Sequence, residues 1–316
     1  MTALPRRLLL VLAAGLALPA GALAQALVVS QGAARLSQVG PAGATRAMAL
    51  DAAPAAVAIT ADGRRAAISH PDIGRISLVA LDSFLPAGQM DIGDQPFGLA
   101  FLPDDSLLVT DWSGNRLSRV APDGGQRHLA VGRAPSAVLV DAARGLAYTI
   151  DRESDRLTRI DLDAFAVTGV AALGQAPFAG ALSPDGRRAF VANVRSGDLS
   201  VIDLERMTET ARLPLTGMPY GVAVDGAARL VLVTDQEAGT LVAFDLDDLH
   251  HRWTARVGDY SEGVGIIAPG RTAIVANWGS DSVSLVDLVT ARSRAFDLPE
   301  GPRMIATHPA LEGATR

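Results

Sequence analysis

Seven polar residues, spaced 40 to 42 residues apart, could together hold a metal ion. Each closes a short apolar run, and they are Ser30, His70, Asp111, Asp151, Asn193, Asp235 and Asn277. Carboxylate and amide oxygens suit Ca²⁺, which gathers several such ligands at about 2.3–2.6 Å. A structural role is the alternative, because Asp and Asn before a turn accept hydrogen bonds from backbone N–H groups. We favour the structural role, since a position that recurs in every unit fits a task repeated in every unit.

A second recurring position changes its chemistry from unit to unit. It follows a proline, or Ser261 in one unit, and is occupied by Ala55, Phe97, Ser136, Phe178, Tyr220, Glu262 and Arg303. Trp112 and Trp278 come directly after Asp111 and Asn277. Aromatic surfaces beside one charge of each sign are typical of a ligand pocket. The same side chains could instead plug a channel, with Glu262 paired to Arg303.

Other familiar catalytic patterns are missing from the sequence. It contains no H-E-x-x-H, no G-x-S-x-G and no glycine-rich phosphate loop. Its five histidines lack metal-ligand spacing, and we interpret them as surface residues. Arg152, Arg156 and Arg159 alternate with acidic residues and are predicted to form an exposed charged hairpin.

The elements that carry these residues follow from a repeat. The segment "SPDGRRAFVANVRSGDLSVIDL" (183–204) returns in variant form along the chain, and successive lead-in positions lie 39 to 42 residues apart. Each unit contains four short runs with period-two alternation, separated by Asp-Gly or Ser-Gly pairs. A period near forty with four strands per unit predicts an all-β propeller.

The two ends of the chain predict how the propeller closes. After Pro302 only one strand, "RMIATHP", remains, whereas residues 27–50 align with 190–213 and supply three strands without a first one. We therefore predict seven four-stranded blades, the last built from one C-terminal and three N-terminal strands. This closure leaves no long unpaired edge. Residues 25–316 are predicted to form a single domain.

The propeller geometry brings the variable residues together. Loops that enter the first strand and loops that join the second to the third lie on one face. The predicted ligand-binding residues at this channel mouth are Phe97, Trp112, Phe178, Tyr220, Glu262, Trp278 and Arg303. By the same phase His250 and His251 follow the third strand of blade five, and His308 lies at the opposite face.

Composition and the N-terminus bear on location and partners. Arg6 and Arg7, an apolar run and Ala22-Leu23-Ala24 form the pattern of a signal peptide over residues 1–24. We therefore expect a periplasmic protein, with secretion as the alternative. The net charge of −6 argues against nucleic acid as a partner. No lipid-anchor cysteine or second apolar span is present, and we expect a monomer without a membrane anchor.

The strand ends in blades four and six resemble a known repeat. "FVANVRSGDLSVIDL" and "IVANWGSDSVSLVDL" are similar to the YVTN-type repeat of exported seven-bladed β-propellers. Only Asn193 and Asn277 keep the repeat's asparagine. The resemblance implies a binding scaffold with no shared reaction. Related seven-bladed propellers include lactonases and subunits of periplasmic quinoprotein dehydrogenases.

Three functions follow as hypotheses. The first is a non-catalytic scaffold that binds a small molecule or a periplasmic protein, with no metal or cofactor of its own. The second is a lactonase-like hydrolase that uses Glu262 and Arg303, with His70 or Asp235. The third is a propeller subunit or accessory of a quinoprotein or cytochrome redox system. The chain has no cysteine, so a thioether-linked haem or a cysteine-derived quinone would belong to the partner.

Overall fold

Every strand that the structure describes belongs to one of seven four-stranded antiparallel sheets. The computed structural model describes residues 25–307, so the predicted signal peptide and His308 lie outside the described residues. Four single-turn 3₁₀ segments complete the regular structure: Pro71–Ile73, Ala142–Arg144, Arg152–Ser154 and Trp278–Ser280. The predicted seven-bladed fold is confirmed. Within residues 25–307 no helix has the length and apolar character needed to cross a membrane.

The first three blades follow one another along the chain, each running from the innermost to the outermost strand. Blade 1 contains β4 (Val57–Ile59), β5 (Arg65–His70), β6 (Arg75–Ala80) and β7 (Leu85–Asp91). Blade 2 contains β8 (Pro96–Phe101), β9 (Leu107–Asp111), β10 (Arg116–Val120) and β11 (Gln126–Ala130). Blade 3 contains β12 (Pro135–Asp141), β13 (Leu146–Asp151), β14 (Arg156–Asp161) and β15 (Ala166–Ala172).

The next three blades repeat this order. Blade 4 contains β16 (Pro177–Leu182), β17 (Arg188–Asn193), β18 (Asp198–Asp203) and β19 (Thr208–Pro214). Blade 5 contains β20 (Pro219–Asp225), β21 (Leu230–Asp235), β22 (Thr240–Asp245) and β23 (His251–Arg256). Blade 6 contains β24 (Ser261–Ala268), β25 (Thr272–Asn277), β26 (Ser282–Asp287) and β27 (Ser293–Asp297).

Blade 7 joins the two ends of the described chain. Its strands are β28 (Pro302–Thr307), β1 (Ala26–Ser30), β2 (Arg35–Gly40) and β3 (Gly43–Ala49), in that order from the inside. β28 and β1 are antiparallel, with Val28 opposite Ile305 and Ala26 opposite Thr307. The predicted closure is therefore confirmed. It leaves no unpaired inner edge on β1.

The hydrophobic core is divided among the seven junctions between blades. Successive side chains of a strand point to opposite faces of the sheet. One set of apolar residues in each sheet therefore packs on the preceding blade, and the other set packs on the following blade. Tyr148 and Ile150 of blade 3 pack with Ala189 and Val191 of blade 4. Equivalent clusters occupy the other six junctions. The outer strands are mostly exposed, which explains their polar sequences.

Small residues let the inner strands approach one another around the axis. A Cβ atom on Gly221 would lie 2.2 Å from the Glu262 carbonyl oxygen of the next blade. On Gly263 it would lie 2.6 Å from the Arg303 carbonyl oxygen. No side chain fits at these distances, so glycine is required for the close packing of blades 5, 6 and 7. The same approach brings the side chains at the strand starts into contact.

Candidate functional site

The residues predicted to vary from blade to blade lie at the start of the inner strands. Phe97, Phe178, Tyr220, Glu262 and Arg303 are each the second residue of their strand. The inner strands of all seven blades surround one central cavity. Side chains that are far apart in sequence therefore converge at one mouth of the channel, and their contacts can be followed from blade 2 to blade 7.

Four aromatic side chains form a continuous arc along one side of the mouth. The ring centroids of Trp112 and Phe97 are 5.1 Å apart, those of Phe97 and Phe178 are 5.9 Å apart, and those of Phe178 and Tyr220 are 4.2 Å apart. Phe97 belongs to blade 2 and Phe178 to blade 4. They can touch because Ser136 stands between them in blade 3. We call these four residues the aromatic arc.

A polar cluster centred on Arg303 occupies the other side of the mouth. Its Nε donates to Glu262 Oε2 at 2.8 Å and its Nη2 to the Tyr220 hydroxyl at 2.7 Å. Nη1 donates to Gln31 Oε1 at 2.8 Å, and Gln236 Nε2 donates to Glu262 Oε1 at 2.8 Å. Arg303 therefore links blades 5, 6 and 7, and the proposed pairing of Glu262 with Arg303 is present.

Burial sets the protonation behaviour of this polar cluster. Glu262 is 4% exposed, and burial raises the pKa of its carboxyl group while the charge of Arg303 opposes the rise. Burial also raises the pKa of the Tyr220 phenol to about 12, again against the effect of Arg303. Tyr220 therefore remains a neutral hydroxyl at physiological pH, and it keeps a proton to donate.

The remaining members of the predicted site lie outside this contact network. Trp278 is 43% exposed, and its ring packs on Tyr260 with centroids 6.1 Å apart, not on the aromatic arc. Ser136 donates its hydroxyl to the carbonyl oxygen of Phe178 at 2.7 Å, which holds neighbouring blades together. Ala55 is buried. The geometry thus divides the predicted mouth residues into a connected set and Trp278.

Three contributors to the mouth were missed by the sequence reasoning. Gln31, Arg152 and Gln236 each follow a ring residue directly, at the repeat position of Trp112 and Trp278. Arg152 was interpreted as part of an exposed charged hairpin, but its guanidinium lies 5.7 Å from the centroid of the Trp112 ring and its side chain is only 24% exposed. Its charge also acts on the Tyr220 phenol. Comparing all residues at this repeat position would have identified all three.

The seven ring residues that could have formed a metal site are all fully buried. Asp111 Oδ1 accepts from the backbone N–H groups of Gly114 at 2.9 Å and Gln95 at 3.2 Å. Asp235 Oδ1 accepts from the N–H groups of Met218 at 3.0 Å and Ala238 at 3.1 Å. These bonds support the structural role that the sequence favoured. Among residues 25–307 no group of three acidic or histidine side chains is placed to bind a metal ion.

Two of the residues invoked for a hydrolase, His70 and Asp235, lie outside the polar cluster, and His70 is not the surface residue that we expected. His70 is fully buried in blade 1, its Nδ1 lies 3.0 Å from the Ala52 carbonyl oxygen, and burial lowers its pKa. Asp235 is committed to backbone N–H groups. His251 begins the outer strand β23, as predicted, and is exposed together with His250.

An apolar cavity of about 190 Å³ lies inside the channel next to the mouth. Phe97 and Tyr220 form part of its wall, and the inner strands supply the rest, including Gly98, Leu99 and Val138. Apolar cavities of roughly this size can hold a benzene ring. Phe97 and Tyr220 thus belong both to the aromatic arc and to the wall of this cavity.

Comparison with known proteins identifies the fold and no finer class. No protein-family model matches the sequence, and no curated protein is similar to it. Among solved structures 1601 chains match. One is hydrazine synthase of Kuenenia stuttgartiensis, with a TM-score of 0.68 and 16% identity over 74% of this chain and 76% of that chain.

Two further structures cover more of the sequence. A functionally unknown protein of Desulfotomaculum acetoxidans has a TM-score of 0.77 and 14% identity over 90% of this chain and 98% of that one. The dihydro-heme d1 dehydrogenase NirN in complex with DHE has a TM-score of 0.73 and 15% identity over 94% and 78%. At such low identities the likeness shows a shared seven-bladed β-propeller fold, and function must be argued from the site.

Proposed function

We propose that this chain is a non-catalytic binding protein whose site is the channel mouth formed by the aromatic arc and the polar cluster. One observation carries the proposal: side chains from blades 2, 4, 5, 6 and 7 contact one another at a single repeat position whose residue type ranges from aromatic to acidic to basic around the ring. A position with one structural task tends to keep its residue type. A position that faces an asymmetric ligand has a reason to vary.

The polar groups of the mouth fit binding better than hydrolysis. Glu262 accepts hydrogen bonds at both carboxylate oxygens, and Ser136 donates to backbone carbonyl oxygens. Neither is arranged as a nucleophile beside a base. Arrangements of this type hold a ligand through stacking, hydrogen bonds and charge.

The protein is further proposed to be an exported monomer of the YVTN-type propeller group. The N-terminal pattern and the strand ends of blades 4 and 6 support this assignment. Protein recovered from the periplasm should have an intact mass that lacks residues 1–24. Recovery of the full-length chain from the membrane fraction would contradict it.

Affinity capture tests the binding function. The tagged mature protein is recovered from its native periplasm, and bound small molecules and proteins are identified for wild type, Tyr220→Ala and His251→Ala. We expect a ligand that is lost in Tyr220→Ala and retained in His251→Ala, because only the first change removes a mouth side chain. Equal capture by all three proteins would place the functional surface elsewhere.

A second candidate function is a propeller subunit or accessory of a redox system. Two of the similar structures are named hydrazine synthase and dihydro-heme d1 dehydrogenase NirN. Under this proposal the partner carries the cofactor, because the sequence has no cysteine for a thioether-linked haem. Co-purification of a haem protein, detected by its absorbance, would favour this function. Capture of a small molecule alone would favour the first.

A further inference from the structure

We propose that the ligand of the channel mouth is a single-ring aromatic carboxylate. Its ring would lie against the aromatic arc and in the adjoining cavity, and its carboxylate would bind Arg303 and Tyr220. This inference rests on the proposed binding function and names the class of ligand. Three features support it: the accessible aromatic rings of the arc, the size of the cavity, and the hydrogen-bond donors that Arg303 and Tyr220 still have available.

The aromatic arc offers open ring surface at one end only. Phe178 and Tyr220 are 5% and 7% exposed and are covered by one another and by their neighbours. Phe97 and Trp112 are half-buried, and their planes are inclined at 50°. Arg152 lies beside the Trp112 ring. A flat ring placed here gains offset or edge-to-face contacts with Phe97 and Trp112.

The cavity limits the ligand to about one ring. Its volume of about 190 Å³ compares with the roughly 150 Å³ of an apolar cavity that accepts benzene. Phe97 and Tyr220 belong both to the mouth and to the cavity wall. A ring held in the cavity therefore lies beside residues of the mouth.

Arg303 and Tyr220 keep hydrogen-bond donors that have no acceptor among residues 25–307. A guanidinium has five N–H groups, and those of Arg303 make three hydrogen bonds among the described residues. The Tyr220 oxygen accepts from Arg303, and in residues 25–307 its own proton has no acceptor. Both oxygens of Glu262 already accept. On Arg303 and Tyr220 the groups still able to bond are donors, and a carboxylate supplies acceptors for them.

Isothermal titration of the mature chain, residues 25–316, tests the inference with three probes. Benzoate is the expected class, benzamide keeps the ring without the charge, and cyclohexanecarboxylate keeps the charge without the aromatic ring. We expect benzoate to bind in the micromolar to millimolar range, as small ligands do. Benzamide and cyclohexanecarboxylate should each bind at least about 10-fold more weakly, because each lacks one of the two recognised features.

Matched variants locate the binding. Tyr220→Phe keeps the ring and removes one donor, and it should weaken benzoate binding about 3- to 10-fold with an unchanged fold. Arg303→Gln should weaken it about 10- to 100-fold. Trp112→Leu should weaken binding, whereas Trp278→Leu should not, because Trp278 packs on Tyr260 outside the arc. Circular dichroism of each variant verifies that it is folded.

Several results would overturn the inference. They are equal binding of benzoate and benzamide, undiminished binding in both Tyr220→Phe and Trp112→Leu, and no benzoate binding at concentrations up to about 10 mM. If a ligand of other chemistry is captured and depends on Tyr220, the ligand class is wrong and the proposed function stands. If captured ligands do not depend on Tyr220 at all, the proposed function itself fails.

Discussion

In blades 6 and 7 the side chain at the ring position is matched to the loop residue that it faces. Gly258, three residues before the start of β24, donates its N–H to Asn277 Oδ1 at 3.0 Å, and a Cβ there would lie 2.6 Å from the Asn277 Cβ. In blade 7 the equivalent loop residue is Pro299, which has no N–H, and the ring residue is Ser30, whose hydroxyl has no partner among residues 25–307. Ser30 is thus a short side chain at the one of these two blades where the loop offers no N–H group. This is expected if the ring side chains serve to bind loop N–H groups.

Asp111 provides the sharpest test of this role. Asp111→Asn should cost less than about 1 kcal/mol in the free energy of unfolding, because the amide oxygen can still accept from Gln95 and Gly114. Arg116, whose Nη2 lies 2.9 Å from Asp111 Oδ2 without hydrogen-bond geometry, keeps Asp94 as a partner. Asp111→Ala leaves the N–H groups of Gln95 and Gly114 without this acceptor and should cost more, about 1–3 kcal/mol.

Urea unfolding with and without calcium measures both variants of Asp111. Stability should not depend on calcium in any of the proteins. A calcium-dependent stabilisation of the wild type that disappears in Asp111→Asn would show that the carboxylates hold a cation. In that case the structural assignment of the ring would be wrong.

Tyr220 predicts a loss of stability at high pH. Its pKa of about 12 in the folded protein exceeds the ordinary value of 10.0. The unfolded chain therefore ionises first, so the stabilising effect is complete below pH 10 and is lost as the pH rises towards 12. At pH 11 the earlier ionisation of the unfolded chain lowers the free energy of unfolding by about 1.4 kcal/mol. Urea unfolding at pH 9 and pH 11 should show a smaller decline for Tyr220→Phe than for the wild type, and an equal decline would contradict the burial of this phenol.

The inner strands both position the side chains of the site and set the distance between neighbouring blades. Their second residues lie at the mouth, and in blades 2 to 6 the next residue is Gly or Ala, so adjacent backbones come together around the axis. The second strands are buried along all or nearly all of their length, as in β21, because neighbouring blades cover both faces. These two roles explain why a residue whose type varies between blades is followed directly by a residue that packing constrains.

Gly221 is the position where this spacing can be tested. Gly221→Ala places a Cβ atom 2.2 Å from the Glu262 carbonyl oxygen, so blades 5 and 6 must separate. We expect a loss of about 3 kcal/mol or more, measured by urea unfolding. Gly125→Ala is the matched control, because its nearest contact is the Asp123 carboxylate of an exposed hairpin at 3.2 Å. Equal effects of the two changes would show that the inner strands are not in close contact.

The ring as a whole depends on its last strand. β28 is the innermost strand of blade 7, pairs with β1 and packs beside β24 of blade 6. Blades in a repeat protein are stabilised mainly by their neighbours. Removing β28 exposes the edge of β1 and breaks the closed ring. The same strand carries Arg303, so the polar cluster also requires closure.

Truncation tests the closure. Deletion of residues 301–316 should abolish soluble folded protein and its cooperative thermal transition. It exposes both the edge of β1 that pairs with β28 and the side of β24 that packs beside it. A shorter deletion of residues 309–316 leaves β28 in place and should keep the transition. Solubility after expression and circular dichroism on heating distinguish the two. An unchanged melting temperature for the longer deletion would contradict the role of β28.

The sequence predicted those parts of the site that depend on the spacing of residues along the chain. The repeat phase identified Phe97, Phe178, Tyr220, Glu262 and Arg303 as neighbours, since equivalent positions in a closed ring must meet at one mouth. It also assigned Trp278 to the mouth, but it did not indicate that this ring packs on Tyr260 and not on the aromatic arc. Side-chain direction depends on the packing of adjacent loops, which spacing alone does not contain.

The sequence by itself determined the seven blades, the four strands of each, the closure by β28 and the face on which the variable residues lie. These follow from alternation, turn residues and a constant period, which are local properties repeated along the chain. Only the tertiary structure decided that Arg303 bridges to Tyr220 and Gln31, and that Arg152 joins Trp112. Such contacts join residues up to 272 positions apart. They depend on side-chain rotamers that are selected only when the blades pack together.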